Sequence, residues 1–106
     1  MAWKRKREAI RKRDINLCMA CFHLLPCTTK QYTFDALEVH HIIPIAKSWD
    51  RRLDDYNLIT LCTMHHAMAD TNRLDCDLLS DIAIKNSNHS QWMDGSATMP
   101  TKNNFL

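Results

Sequence analysis

The chain has 106 residues, 45% of them apolar, a formal net charge of +2 and no apolar run long enough to cross a bilayer. This argues against a membrane-spanning protein or a large multidomain one, and leaves a small domain whose core needs disulfides or a metal to supplement it. No apolar leader follows the basic N-terminus, so the expected location is cytoplasmic, with no membrane partner, where the five cysteines stay reduced.

Charge is distributed unevenly. Residues 1–14 hold seven basic side chains (Lys4, Arg5, Lys6, Arg7, Arg11, Lys12, Arg13) against two acidic ones, whereas the remainder holds seven basic against ten acidic. Good helix formers without Gly or Pro run from Ala2 to Ile15, with Trp3 and Ile10 toward one side, which predicts a short basic helix. A cluster of this kind suits phosphate neutralisation; a solvated helix face is the plainer alternative.

Residues 16–29 form a cysteine-bearing knuckle, and Thr28 to Phe34 reads as a loop or a weak strand. The β-branched, apolar run Ala36 to Ile43 predicts a strand stopped at Pro44, which has no N–H for a ladder. A charged, irregular excursion covers Ile45 to Tyr56. Asn57 to Cys62 predicts a second strand, and Thr63 is placed to cap a helix from Met64 to about Leu74. Leu74, Leu78, Leu79 and Ile82 follow helical spacing and predict one more helix. From Asn86 the composition turns polar, so the expected organisation is a domain over residues 1–85 and a flexible tail over 86–106, in which Trp92, Met93 and Phe105 are stray apolar residues.

Two constellations carry chemistry. Cys18-x-x-Cys21 and Cys62-x-x-His65 are two pairs with the ligand spacing of a closed tetrahedral zinc site, and joining them would close a loop of some forty residues. The plainer reading is buried free thiols. Cys27 and Cys76 have no partner at ligand spacing and are read as packing residues, with Cys27 or His23 kept as substitutes for a presumed ligand.

The second set is His40, His41, Asn57, His66 and Asp70. Neighbours on a helix diverge by about 100°, so His65 and His66 serve different sites, whereas His66 and Asp70, four apart, share a face. Consecutive strand residues point to opposite faces, so His40 and His41 line one site only if the strand end twists or the two approach a phosphate from different sides.

In the segments Arg-Lys-Arg-Asp-Ile-Asn-Leu-Cys-Met-Ala-Cys (11–21), Leu-Glu-Val-His-His-Ile-Ile-Pro-Ile (37–45) and Arg-Leu-Asp-Asp-Tyr-Asn-Leu-Ile-Thr-Leu-Cys-Thr-Met-His-His (52–66), the chain resembles the HNH endonuclease family. It is similar in particular to small HNH proteins of bacteriophages, some of which act in genome packaging. The resemblance implies an α+β, zinc-stabilised ββα-metal fold. It places His41 as the general base, held by a contact at Nδ1, with Asn57 bracing it. His40, His66 and Asp70 become ligands of a catalytic divalent ion, and Cys18, Cys21, Cys62 and His65 a structural zinc set, without deciding between His65 and His66 for the zinc.

Products with a 5′-phosphate and a 3′-hydroxyl follow from the same resemblance. Imidazole and carboxylate ligands suit Mn²⁺, Ni²⁺, Co²⁺ or Zn²⁺, or a Mg²⁺ that keeps several waters. The implied partners are DNA, contacted by the N-terminal cluster with Lys47, Arg51, Arg52 and Arg73, and a phage packaging complex of terminase or portal in a bacterial host cell. Low sequence specificity is expected, because the length leaves no room for a recognition module. The competing reading is a noncatalytic zinc-stabilised DNA-binding module. A zinc hydrolase or deaminase would need H-E-x-x-H, or H-x-E with P-C-x-x-C, and has neither; a virion assembly protein is the remaining alternative.

Overall fold

The first three helices end without glycine. The computed structural model describes residues 2–93, and the chain's single glycine, Gly95, is not among them. Helix α1 (Ala2–Arg13) is followed by Ile15 at φ 60° and by bonds from Ile15 N to Lys12 O (3.1 Å) and Asn16 N to Arg11 O (2.7 Å). The same paired closure follows the short helix α2 (Met19–Phe22), with Leu24 at φ 57°, and helix α3 (Thr63–Asp70), with Asn72 at φ 59°. This is the Schellman arrangement, in which the left-handed residue suits Gly or Asn. Asn72 is why α3 stops four residues short of the expected Leu74. The expected cap is also shifted: Cys62 occupies the position before the helix and Thr63 is its first residue.

Strand β1 (Leu37–His41) and strand β2 (Leu58–Cys62) pair antiparallel, Leu37 opposite Cys62 and His41 opposite Leu58. Both are shorter than expected from the sequence. The segment between them contains two 3-10 turns, Trp49–Arg51 and Asp55–Asn57, so Asn57 ends a turn and β2 begins after it. No strand forms between Thr28 and Phe34. The order β1, β2, α3 is a ββα unit in an α+β fold, as expected.

All five residues of β2 are buried, because both sheet faces are covered. Ile59 and Leu61 pack with the knuckle residues Met19 and Ala20 and with Leu79 and Ile82 of helix α4 (Cys76–Met93). On the other face Leu58 and Val39 pack on Ile10 of α1, with Trp3 alongside. Among the described residues no third strand pairs with the β2 edge away from β1. There the fully buried Asp14 accepts from Thr60 N (2.9 Å), and Arg13 Nη2 donates to Leu58 O (2.7 Å), so adjacent side chains satisfy what a strand would have satisfied.

Helix α4 continues this contact. Asn86 Nδ2 donates to Asp14 Oδ1 (2.8 Å), and Arg13 Nη1 reaches Ser87 Oγ (3.1 Å). Helix α4 runs through residues 85 and 86 to Met93, and within it Asn86 and Ser87 contact the buried Arg13–Asp14 pair. The remainder of the expected tail, 94–106 with Phe105, lies outside the described residues.

Ile15 is 66% exposed, so its side chain packs little, yet a Cβ in the left-handed region costs roughly 1–2 kcal/mol. Ile15→Gly is expected to raise stability by roughly 1 kcal/mol, after the added unfolded-state entropy of glycine, seen as a Tm higher by a few degrees in a thermal melt. An unchanged or lower Tm would mean that this cap carries no strain.

Candidate metal centres and catalytic cleft

The knuckle and the β2–α3 junction meet at four buried donors, Cys18, Cys21, Cys62 and His65. His65 Nδ1 lies 3.6, 3.4 and 3.4 Å from the Sγ atoms of Cys18, Cys21 and Cys62. One ring nitrogen cannot bond three sulfurs at once, but these distances match the edge of a tetrahedron around zinc, about 3.5 Å for Zn–S near 2.3 Å and Zn–N near 2.0–2.1 Å. The other ring nitrogen, Nε2, donates to the Pro26 carbonyl (2.9 Å), which fixes the tautomer and leaves the Nδ1 lone pair facing the sulfurs.

Burial pushes the Cys18 thiol up to about 12. A buried set of protonated thiols becomes a set of thiolates only when a cation takes the place of the protons. The four residues thus fit a zinc ion by distance, tautomer and chemistry. Cys27 and Cys76 are exposed, contrary to the packing role expected of them, and neither Cys27 nor His23 joins this group. The positive φ of Cys27 (69°) turns the chain there and leaves the thiol outside the core.

A second group forms one residue further along α3. His66 faces β1, where its ring lies 5.0 Å from that of His40, and Asp70 stands 3.5 Å from His40 Nδ1 and 3.7 Å from His66 Nε2. These three offer ligand atoms within 4.8 Å of one another. His40 is lowered to about 4, by burial first and then by the neighbouring His66, so its neutral form, the one able to ligate a metal, prevails at neutral pH. The set fits a divalent ion with mixed nitrogen and oxygen ligands.

Glu38 is the residue that sequence reasoning missed. Its Oε2 meets His66 Nδ1, the ring nitrogen other than the one nearest Asp70, in a carboxylate–imidazole pair that sets the ring's orientation. The available signal was strand alternation: Glu38 and His40 are two apart on β1 and share a face.

His41 lies on the opposite face of β1 from His40, as alternation requires. Its ring stacks on Trp3 at 4.9 Å, and Nε2 bonds the Arg52 carbonyl at 3.0 Å. The holding contact is therefore at Nε2 rather than the Nδ1 expected, because the carbonyl comes from the 3-10 turn alongside the strand end. With Nε2 donating to that carbonyl, Nδ1 is the ring nitrogen placed to accept. Despite the opposite faces, both histidines line one cavity of about 260 Å³ at the strand end, together with Pro44, Ile45, His66 and Asp70.

Asn57 holds this region in place without touching the cavity. It is buried, its Oδ1 accepts from Ile43 N (2.8 Å), and its Nδ2 donates to Ile43 O (3.1 Å) and Arg51 O (3.3 Å). The side-chain amide thus extends the β ladder as a peptide group would, and ties it to the turn that bears Arg52, the partner of His41. A carboxylate could not make the two donations.

The basic residues divide into free and engaged. Lys4, Arg5, Lys12, Lys47 and Arg73 are exposed, and Arg11 is half-buried. Lys6 pairs with Asp55, Arg51 with Asp54, and Arg52 lies over the Trp49 ring at 4.1 Å. Arg7 is half-buried. Arg13 is committed to Asp14, Asp55 O, Leu58 O and Ser87, which takes its donors away from DNA.

A ββα unit with a thiol–imidazole cluster beneath it and paired histidines at the strand end is a small α+β fold with two groups of side chains able to hold a metal ion. The HNH endonuclease family model matches residues 25–69, a span that includes His40, His41, Asn57, Cys62, His65 and His66. The match stops short of Cys18, Cys21 and Asp70. No curated protein and no solved structure matches the chain. The match to that model suggests metal-dependent nuclease or DNA-binding function, and among the described residues no helix is long and apolar enough to cross a membrane.

Structural zinc contributes an apparent ~10–16 kcal/mol in small domains at neutral pH, more than a core of this size supplies. Purified protein is expected to hold one tightly bound zinc and to lose its cooperative melt when a strong chelator strips it. A cooperative transition surviving complete removal would exclude a scaffolding role for this cluster.

Proposed function

We propose that this chain is a metal-dependent HNH endonuclease that hydrolyses DNA phosphodiester bonds, by nicking or double-strand cleavage, with low sequence specificity. The observation that supports it best is the separation of two candidate cation groups on adjacent residues of α3. Cys18, Cys21, Cys62 and His65 form the first, read as the structural zinc; His40, His66 and Asp70 form the second, beside His41. A purely structural domain needs only the first.

In this reading His41 is the general base. With Nε2–H tied to the Arg52 carbonyl, Nδ1 takes a proton from water as the water oxygen bonds to phosphorus; the P–O3′ bond breaks and the departing O3′ takes a proton from solvent, leaving a 5′-phosphate and a 3′-hydroxyl. When bound, a divalent ion at His40, His66 and Asp70 would polarise the phosphate and stabilise charge on the departing oxygen. Glu38 keeps the His66 ring turned toward that place, and Asn57 is a positioning residue acting through the Arg51–Arg52 turn. Free cations Lys4, Arg5, Lys12, Lys47 and Arg73 would meet backbone phosphates, which carry no sequence information. A domain that reads no bases needs a larger protein, of the terminase or portal kind, to direct it, and the bacterial cytoplasm is the setting we assign.

His41→Ala is expected to lower cleavage of supercoiled plasmid in Mn²⁺ or Mg²⁺ by roughly 10²-fold or more, while retention of DNA in a gel shift persists. Cutting by this variant at the wild-type rate would remove His41 from its role. Wild-type protein that retards plasmid but cuts it with no added divalent metal tested, Ni²⁺ and Co²⁺ included, would establish the DNA-binding module instead.

A further inference from the structure

A second cavity meets the first at His41 and is different in kind. Its volume is about 350 Å³, its walls are Trp3, Ile45, Trp49 and Leu53, and His41 and Arg52 complete it. His41 and Ile45 line both cavities, so the apolar space opens beside the group read as the base. Trp49 is 61% exposed and Ile45 40%, large values for side chains facing a hollow. The Arg52 guanidinium covers one face of the Trp49 indole, while Trp3 is stacked on the His41 ring. The result is an aromatic shelf held by a cation, next to the candidate hydrolytic cleft.

A phosphate backbone has no use for such a hollow. The charged side chain that lines the hollow is cationic, the Arg52 guanidinium over Trp49, so an occupant that suits it is anionic yet presents a flat apolar face. A nucleotide has both properties: its base stacks on indole, and its phosphates meet lysine and arginine. We infer that this cavity is a subsite for one unstacked nucleobase adjoining the phosphate to be cut, which makes DNA with an unpaired or readily extruded base the preferred substrate. The inference deepens the nuclease reading and rests on it for the identity of the neighbouring cleft.

Energetics favour that substrate over matched duplex. Extruding a paired base costs a few kcal/mol and an already unpaired one much less, whereas stacking on an aromatic side chain returns ~1–3 kcal/mol. A base that is free beforehand keeps the whole gain.

The test compares two oligonucleotide duplexes, one with a single bulged 2-aminopurine and one with the same base paired, titrated with zinc-loaded wild-type protein without added divalent metal. The bulged duplex is expected to bind about tenfold more tightly, with its fluorescence quenched on binding. Trp49→Ala should abolish the difference and Trp49→Phe retain most of it; Ile45→Asp, which puts a carboxylate at the mouth, should abolish it without touching Trp49. Each variant is compared after a cooperative thermal melt is shown.

Equal affinity of wild type for the two duplexes, or a preference that survives both Trp49→Ala and Ile45→Asp, would overturn the subsite. A wild-type dimer that Trp49→Ala dissociates, with no base preference, would overturn it too and give the cavity to a second copy of the chain. Plasmid cleavage is scored separately. Its absence beside an intact bulge preference would sink the nuclease reading alone.

Discussion

The rotation of α3 about its own axis is the constraint from which the rest of the site follows. His65 is drawn under the helix by three sulfurs and a carbonyl, all of them buried or on the knuckle. With that residue fixed, the next one is turned by about 100°, and His66 emerges toward β1, where His40 and Glu38 wait on the same strand face. Asp70, one turn further, arrives on the His66 side. A helix free to roll would lose both groups together. The thiol–imidazole cluster therefore does more than replace missing core; it aligns His66 and Asp70 with His40.

A comparable economy operates on the other sheet face. Two strands alone make a marginal sheet, and here the outer edge of β2 is closed by Asp14 and Arg13 while α4 supplies Asn86 and Ser87 to the same buried pair. This holds α1 against the sheet, and α1 carries Trp3 to His41. Each cavity thus depends on a polar anchor remote from it: the cleft at His40 on the cysteines, the hollow at Trp49 on the Asp14 carboxylate. Removing Asp14 would leave the Arg13 guanidinium buried without its carboxylate, a more costly change than the loss of a surface pair.

Much of this was legible in the chain because spacing maps directly onto geometry. The two pairs with two intervening residues announced a four-donor cluster, and strand alternation announced that His40 and His41 would part. Other features lacked a local signature. Ile15 and Leu24 occupy left-handed positions that composition assigns to glycine, and nothing in their type reveals it. Arg13 sits in a basic run and reads as one more phosphate contact, although besides the adjacent Asp14 its partners are 42 to 74 residues away. Asn86 and Ser87 read as the start of a polar tail for the same reason. Long-range polar anchoring leaves no periodic trace, so the clustering of the metal-ligand donors was easier to read from spacing than the contacts that hold the elements bearing them.

Anomalous diffraction from crystals of zinc-containing protein soaked in Mn²⁺ tests the two-group architecture most directly. The account predicts a zinc peak enclosed by Cys18, Cys21, Cys62 and His65, and a separate manganese peak among His40, His66 and Asp70 with the His41 ring nearby. Manganese bound elsewhere, or a single ion shared by His65 and His66, would contradict it.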